Sequence, residues 1–358
     1  MTLSKSFIAC LPLCTFILFS GCTCENPQPV SALPQWTFEN AEIFPADRSL
    51  NRPEDGVVLP DGRLVVTDQA TGLRLVNQDG SNRPFGKMAE AGYVHNPPET
   101  EGCANGVTMN PAGTHLLVAD VFRGGIYAVE IATEATRKVY QHEFGVNMAR
   151  YDSHGGIWFT QSTRNRPEQN SSGLWDSVWV GRPDGAVCYV PPEGAEVERK
   201  AVYLADDFVF ANGLVLDEAG GLLYVAESLG SCVWRFDVDF HSGKASGRTK
   251  AVEINVPDNL DLDEEGRLWI ACPLRSEIVV FDPATGESES VFRISTQESE
   301  LLIGQINERL ANGVSWADLA LPELSAPAPG LMTGMILDEE RGIVYASGLG
   351  NALMKLER

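Results

Sequence analysis

One phrase recurs along this chain and constrains its fold more than any other feature. An Asn or an acidic residue comes first. A small or turn-forming residue, an apolar run, a turn containing Gly and a second apolar run follow. The copies occupy residues 54–68, 105–120, 147–160, 212–227, 258–271 and 333–347. Each reads as two short strands joined by a tight turn, as at Asp61-Gly62, Ala112-Gly113 and Glu265-Gly266. A third alternating run follows most copies, at 125–131, 232–238 and 277–283. Small antiparallel sheets repeated at such intervals predict an all-β chain folded as a β-propeller, not a sandwich. Six copies predict a six-bladed β-propeller. Residues 35–45 read as an extra strand able to complete the last blade and close the ring.

Three segments fall outside this pattern. Residues 164–173 are rich in turn formers, residues 297–310 read as a short amphipathic helix, and residues 319–331 are rich in Pro and Ala. Long insertions on a rigid scaffold are often functional, so these are the expected cover of the propeller mouth.

The N-terminus is read separately. Lys5 precedes an apolar stretch that ends in Ser20-Gly21-Cys22. A basic start, a short apolar core and small residues before a cleavage point mark a signal peptide. The core is too short for an ordinary membrane span. A cysteine after Ser-Gly resembles a bacterial lipobox, with Phe19 where Leu is more usual. The expected organisation is a lipoprotein signal over 1–21, a tether over 22–34 starting at a lipidated Cys22, and the propeller over 35–358. Such a protein would sit in the bacterial cell envelope, held to the membrane by its N-terminal lipid.

The formal charge of −22 disfavours phosphate backbones, so no nucleic-acid partner is expected. Hydrophobic residues make up 44%, enough to core one large unit, and a monomer is expected. Cys24, Cys103, Cys188, Cys232 and Cys272 follow the lipidation point without CxxC pairing or zinc-like spacing, and they assign no disulfide.

The first strand of a propeller blade lines the central channel. The repeat therefore sets Glu54, Asn105, Asn147, Asn212 and Asp258 in a ring at the mouth. Carboxylate and amide oxygens form a hard-donor site. Ca2+ tolerates many oxygens in irregular geometry, whereas Mg2+ demands near-octahedral order, so calcium is the expected ion and another divalent metal the alternative. A lone Asn-Gly is usually a hairpin turn. Here the hairpin turns lie elsewhere in each copy, and the Asn precedes the first strand. Side-chain capping of strand ends is the competing use.

These residues resemble the gluconolactonase/regucalcin (SMP-30/LRE-like) family, with features of the serum paraoxonases. The resemblance rests on Pro53-Glu54-Asp55, on Phe210-Ala211-Asn212-Gly213 with Tyr224-Val-Ala-Glu227, and on Asp258-Asn259 with Gly266-Arg-Leu-Trp269. Asn147 falls where those families carry another ligand Asn. The resemblance implies a calcium-dependent hydrolase of a small-molecule lactone or ester. It implies metal ligands at Glu54, Asn147, Asn212, Asp258 and Asn259. Asp258 is expected to serve also as the proton acceptor, with Asn105 and His142 facing the substrate. There are departures. Asn105 stands where paraoxonases place a catalytic-type His, and no second His lies near Asp120. Met148 stands where an acidic neighbour is expected, which leaves Asp55 to cap a strand. His115 reads as structural, and Trp158, Trp234 and Trp269 as core. A non-catalytic binding propeller and a metal-free lyase of the strictosidine-synthase type are the alternatives.

Overall fold

The computed structural model describes residues 33–319 and 322–357. The expected signal peptide, Cys22 and nearly all of the 22–34 tether lie outside the described residues. From Pro34 onward the chain forms one compact unit.

Six four-stranded antiparallel sheets build that unit as a six-bladed propeller. Blades 1 to 5 each take four consecutive strands, innermost first. Their inner strands are Gly56–Val58, Ala104–Met109, Ala149–Tyr151, Ala211–Asp217 and Leu260–Leu262. Blade 6 has the inner strand Met332–Asp338, then Ile343–Gly348 and Leu353–Glu357, and its outermost strand is Glu42–Phe44 from the other end of the chain. Ile43 lies opposite Met354 in that pair. The extra strand read at 35–45 thus closes the ring, although only three of its residues enter the sheet. Trp36 holds the approach: its indole N–H donates to the Glu357 carbonyl at 2.8 Å, and its backbone N–H to Val291 of blade 5 at 2.9 Å.

Period-two alternation puts one face of each sheet against the next blade. Val65, Leu73 and Leu75 of blade 1 pack on Val107, Leu116 and Val129 of blade 2. Leu117, Ile126 and Val139 of blade 2 pack on Ile157, Phe159 and Cys188 of blade 3. The core is therefore a set of layers between blades, each filled with Val, Leu, Ile and aromatic side chains. Trp158 and Trp269 belong to it, at 0% and 4% exposure. Each indole N–H donates to a carboxylate six residues earlier, Asp152 at 2.8 Å and Asp263 at 2.9 Å, which also accept backbone N–H groups of their own hairpin turns. Gly62, Gly113 and Gly266 sit at the first hairpin turns of blades 1, 2 and 5 with φ of 81°, 66° and 78°, a region that favours glycine. Trp234 departs from the expected core role. It is half-buried, and the Arg248 guanidinium lies 4.1 Å from its ring centroid.

Odd and even blades differ. The inner strands of blades 1, 3 and 5 have three residues; those of blades 2, 4 and 6 have six, seven and seven. The long ones each carry a register break near their start, after Ala104, Ala211 and Met332. Asn105 and Asn212 consequently lie inside their strands rather than before them.

The insertions form helices. Residues Gln297–Ala311 are helical (α2), as the amphipathic pattern predicts. The Thr296 hydroxyl accepts the Ser299 N–H at 3.0 Å, and Leu302, Ile303 and Ile306 are buried. A second helix, α1 (Asn170–Val178), extends from the segment read as turn-forming. Asn, Ser and Gly are weak helix formers; α1 is held by burial of Leu174 and Val178 against α2 and the 310–331 segment.

Candidate active site

The register breaks shape the mouth. A bulge leaves a residue unpaired and re-aims its side chain. After each unpaired residue comes a glycine: Gly106, Gly213 and Gly334. A Cβ on Gly106 would lie 2.8 Å from the Asn147 carbonyl oxygen, on Gly213 2.7 Å from that of Asp258, and on Gly334 2.7 Å from that of Glu54. Each even blade thus presses its backbone onto the polar residue of the next odd blade. Gly106 N–H donates to the Asn147 carbonyl at 3.0 Å, and Gly213 N–H to that of Asp258 at 3.2 Å. These Asn-Gly pairs are close-approach points rather than hairpin turns.

Side chains of the second strands tie the same ring. Thr67 Oγ1 accepts the Glu54 N–H at 3.0 Å, Thr160 Oγ1 donates to the Asn212 carbonyl at 2.6 Å, and Ser347 Oγ donates to the Glu54 carbonyl at 2.9 Å. Backbone positions of the candidate ligands are therefore fixed by neighbouring blades.

A cavity of about 420 Å³ opens above this ring. Glu54, Asn105, Asn147, Asn212 and Asp258 all line its floor, with Arg52, Ser228 and Thr333. The ring read from the repeat is assembled in one place. Asn259 does not line the cavity. It is buried behind Glu54, and its Nδ2 donates to Glu54 Oε1 at 3.2 Å.

The hydrogen-bond state of each floor residue separates their roles. Asn105 is fully engaged: Arg52 Nη2 donates to its Oδ1 at 3.0 Å, and its Nδ2 donates to Asn147 Oδ1 at 3.2 Å. Asn212 uses only its amide nitrogen, which donates to Ser228 Oγ at 3.1 Å. Asn212 Oδ1, Glu54 Oε2, Asp258 Oδ1 and Asn259 Oδ1 are buried acceptors without a donor. The three on the cavity floor, from Glu54, Asn212 and Asp258, include two carboxylate oxygens and suit a hard cation. The acid count is low: among the described residues no three His, Cys, Asp or Glu side chains converge. A cation here would be shared between two carboxylates and neutral amide oxygens.

Electrostatics agree. Burial pushes the Asp258 carboxyl up to about 8, opposed by the Arg52 charge and the Asn212 amide. Glu54 is raised well above the ordinary carboxylate range, first by burial and then by the neighbouring Asp258 charge. Two like charges in a sequestered floor each favour the neutral form unless a cation joins them. Asp55 is also raised, to about 7, by burial. Its carboxylate points away from the cavity and accepts the Val107 N–H of blade 2 at 2.9 Å, so it caps the register break there.

His142 is not brought to the mouth. It follows the outer strand of blade 2 and packs edge-on against Phe159 of blade 3, with ring centroids 4.9 Å apart. Its Nε2 pairs with Gln161 Oε1 at 2.9 Å, and burial lowers its pKa. A polar residue just after an outer strand lies far from the axis, which is why proximity in sequence to Asn147 misleads. Arg52 and Ser228 are floor residues that reading the sequence missed, and Arg52 carries the charge there. Arg52 stands two residues before Glu54 in a left-handed backbone conformation, with φ of 56°, which no repeat in the sequence announces. The insertions do cover the mouth. Trp175 and Val178 of α1, with Trp316 and Leu331, line the cavity above the floor. The four cysteines among the described residues are buried and free.

Residues 139–304 match the model of the SMP-30/Gluconolactonase/LRE-like region. Regucalcin from Bos taurus is 33% identical over 86 residues, 23% of this chain and 29% of that protein. Regucalcin from Xenopus laevis is 33% identical over 112 residues, 30% of this chain and 36% of that protein. The chain thus spans about a third of the curated relatives it matches. Among solved structures, a gluconolactonase from Xanthomonas campestris superposes with a TM-score of 0.58 at 17% identity, covering 88% of this chain and 89% of that one. A regucalcin from Agrobacterium tumefaciens, described as calcium-binding, superposes with a TM-score of 0.57 at 13% identity over 90% of this chain and 95% of that one. At these identities the likeness is one of fold.

Proposed function

For a chain that belongs to the SMP-30/gluconolactonase/LRE-like family through residues 139–304, we propose a metal-dependent hydrolase of a lactone or related ester, with calcium as the fitting ion. The carrying observation is the set of buried acceptor oxygens without donors on the cavity floor: Glu54 Oε2, Asn212 Oδ1 and Asp258 Oδ1. Glu54, Asn147, Asn212 and Asp258 would hold the ion, and Asn259 would orient Glu54 from behind. When bound, a divalent ion supplies Lewis acidity toward a carbonyl oxygen and toward water.

The chain's own residues carry the rest. A water oxygen bonds to the carbonyl carbon while Asp258 takes the water's proton. The ring oxygen then leaves as an alcohol and takes that proton back. Arg52 keeps a fixed positive charge on the floor, which balances the carboxylates. Asn105, held by Arg52 and holding Asn147, orients rather than reacts. With His142 away from the cavity, a carboxylate is the available base. The apolar residues over the floor lower the polarity around it, which strengthens the charge interactions beneath them.

The test is hydrolysis of a lactone and ester panel before and after chelation, with metal content measured on the same samples. Turnover lost on chelation and restored by calcium is expected. Turnover indifferent to chelation would overturn the metal mechanism. Tight cation uptake without any turnover would instead identify a binding propeller. The N-terminal pattern further supports an envelope lipoprotein anchored at Cys22, tested by fatty-acid labelling of the wild type and Cys22→Ala. No helix among the described residues is long and apolar enough to cross a membrane.

A further inference from the structure

Above the polar floor, the cavity wall is mostly carbon. Phe122, Leu174, Trp175, Phe210, Leu274 and Trp316 face it. They come from blade 2, α1, the approach to blade 4, the turn after the second strand of blade 5, and the segment after α2. Trp175 stacks on Trp179 with centroids 5.2 Å apart, and Trp179 meets Trp316 edge-on at 4.8 Å. The Trp316 indole N–H donates to the Val178 carbonyl at 3.2 Å, which leaves it no donor for a ligand. Trp316 is buried at 4% exposure, whereas Trp175 and Phe210 are only half-buried. The polar exceptions are few. Of these, the Glu101 carboxylate already accepts the Ser171 N–H at 2.8 Å.

This composition discriminates between ligands. A polyhydroxylated ring brings several hydroxyls that lose water on entry, and each needs a new partner. The floor has polar groups for the reacting carbonyl, but the walls have almost none for hydroxyls beyond it. An alkyl or aryl substituent finds apolar contacts over the same surface. Resting on the hydrolase reading above, we propose that the chamber selects a lactone or ester with an alkyl or aryl substituent over a sugar lactone. Trp175 and Trp316 are the specificity-determining residues.

The experiment compares kcat/KM for three six-membered lactones: unsubstituted δ-valerolactone, its heptyl-substituted homologue δ-dodecalactone, and glucono-δ-lactone. The heptyl compound is expected to exceed the sugar lactone by about a hundredfold. Trp175→Ala and Trp316→Ala are expected to reduce the preference for the heptyl compound over δ-valerolactone by about tenfold each, through KM, with Phe at either position recovering most of it. A sugar lactone turned over as well as or better than the heptyl compound would overturn the proposal. So would substitutions that affect all three substrates equally. The wild-type ranking stands as a test whether or not a Trp variant folds. If no lactone is hydrolysed, the hydrolase reading fails and the ligand class is read separately. Tryptophan fluorescence is then titrated with the heptyl-substituted lactam and with the gluconic lactam. Preference for the heptyl lactam supports the chamber's selectivity, and equal or reversed affinity overturns it.

Discussion

The odd and even blades use one repeat for two tasks. Blades 1, 3 and 5 begin with short inner strands, and Glu54, Asn147 and Asp258 stand just before them. Blades 2, 4 and 6 begin with longer strands whose first turn of pairing is broken, and the Gly that follows Asn105, Asn212 or Thr333 lies against an odd-blade carbonyl. Odd blades carry Glu54, Asn147 and Asp258; even blades clamp the backbone that presents them. Asn212 crosses the division, because its Oδ1 is left without a donor while the equivalent oxygen of Asn105 is taken by Arg52. Equivalent positions in a ring are thus not equivalent in chemistry. The partner on the neighbouring blade decides which oxygen stays available.

The sharpest way to break this division is Asp258→Asn. It keeps the shape and removes the proton acceptor, and kcat is expected to fall by about 10²–10⁴-fold. An unchanged kcat in the lactone assay would remove Asp258 from the reaction. Next in size is a pair of even-blade variants. Asn212→Ala should weaken cation affinity by roughly tenfold or more, by calorimetry, and Asn105→Ala by less, since only the former removes an unengaged oxygen. Equal losses would erase the distinction drawn between them.

Gly213→Ala tests the clamp. The added methyl meets the Asp258 carbonyl at 2.7 Å, so a loss of about 1–3 kcal/mol is expected in denaturant melts, with weakened cation binding. The pH dependence of the cation-free protein comes next. Burial raises Asp258 to about 8 and Asp55 to about 7 in the folded state, above the ordinary carboxylate value of 3.8. Between about pH 4 and 8 the folded protein keeps protons that the unfolded chain has released, so each rise in pH favours unfolding. Stability present in acid is lost toward neutrality. In chelator, Tm is expected to drop by roughly 2–4 °C or more from pH 5 to 8, and saturating calcium should flatten that slope. The smallest effect belongs to Asp55→Asn. An amide oxygen still accepts the Val107 N–H, so a change of about 1 kcal/mol or less is expected, with the metal content of the protein unaltered. Loss of a cation on that substitution would show Asp55 to be a ligand rather than a cap.

Much of this was legible in the repeat. Hairpin turns at Gly62, Gly113 and Gly266 punctuate alternating strands, and periodicity of that kind is local. The ring of Glu54, Asn105, Asn147, Asn212 and Asp258 was legible for the same reason, since register carries position around an axis. Less local features were not. The bulges that move Asn105 and Asn212 inside their strands depend on the next blade's backbone. Arg52 reaches the floor through a left-handed turn that no periodicity announces. The tryptophan cover joins residues 175, 179 and 316, brought together only once two insertions pack. His142 shows the converse error, where nearness in sequence to a ligand gave way to an outward position between two blades.

Glu42–Phe44 and Leu353–Glu357 are neighbours in one sheet, although almost the whole propeller lies between them in the chain. Seen topologically, the ring has a seam rather than a first blade. The seam in blade 6 is an ordinary antiparallel strand pair with a Trp36 latch. A circular permutant joined there and opened between blades 3 and 4 would keep all strand pairings and all clamp contacts, and would shift the entropic weak point of the ring away from Glu54.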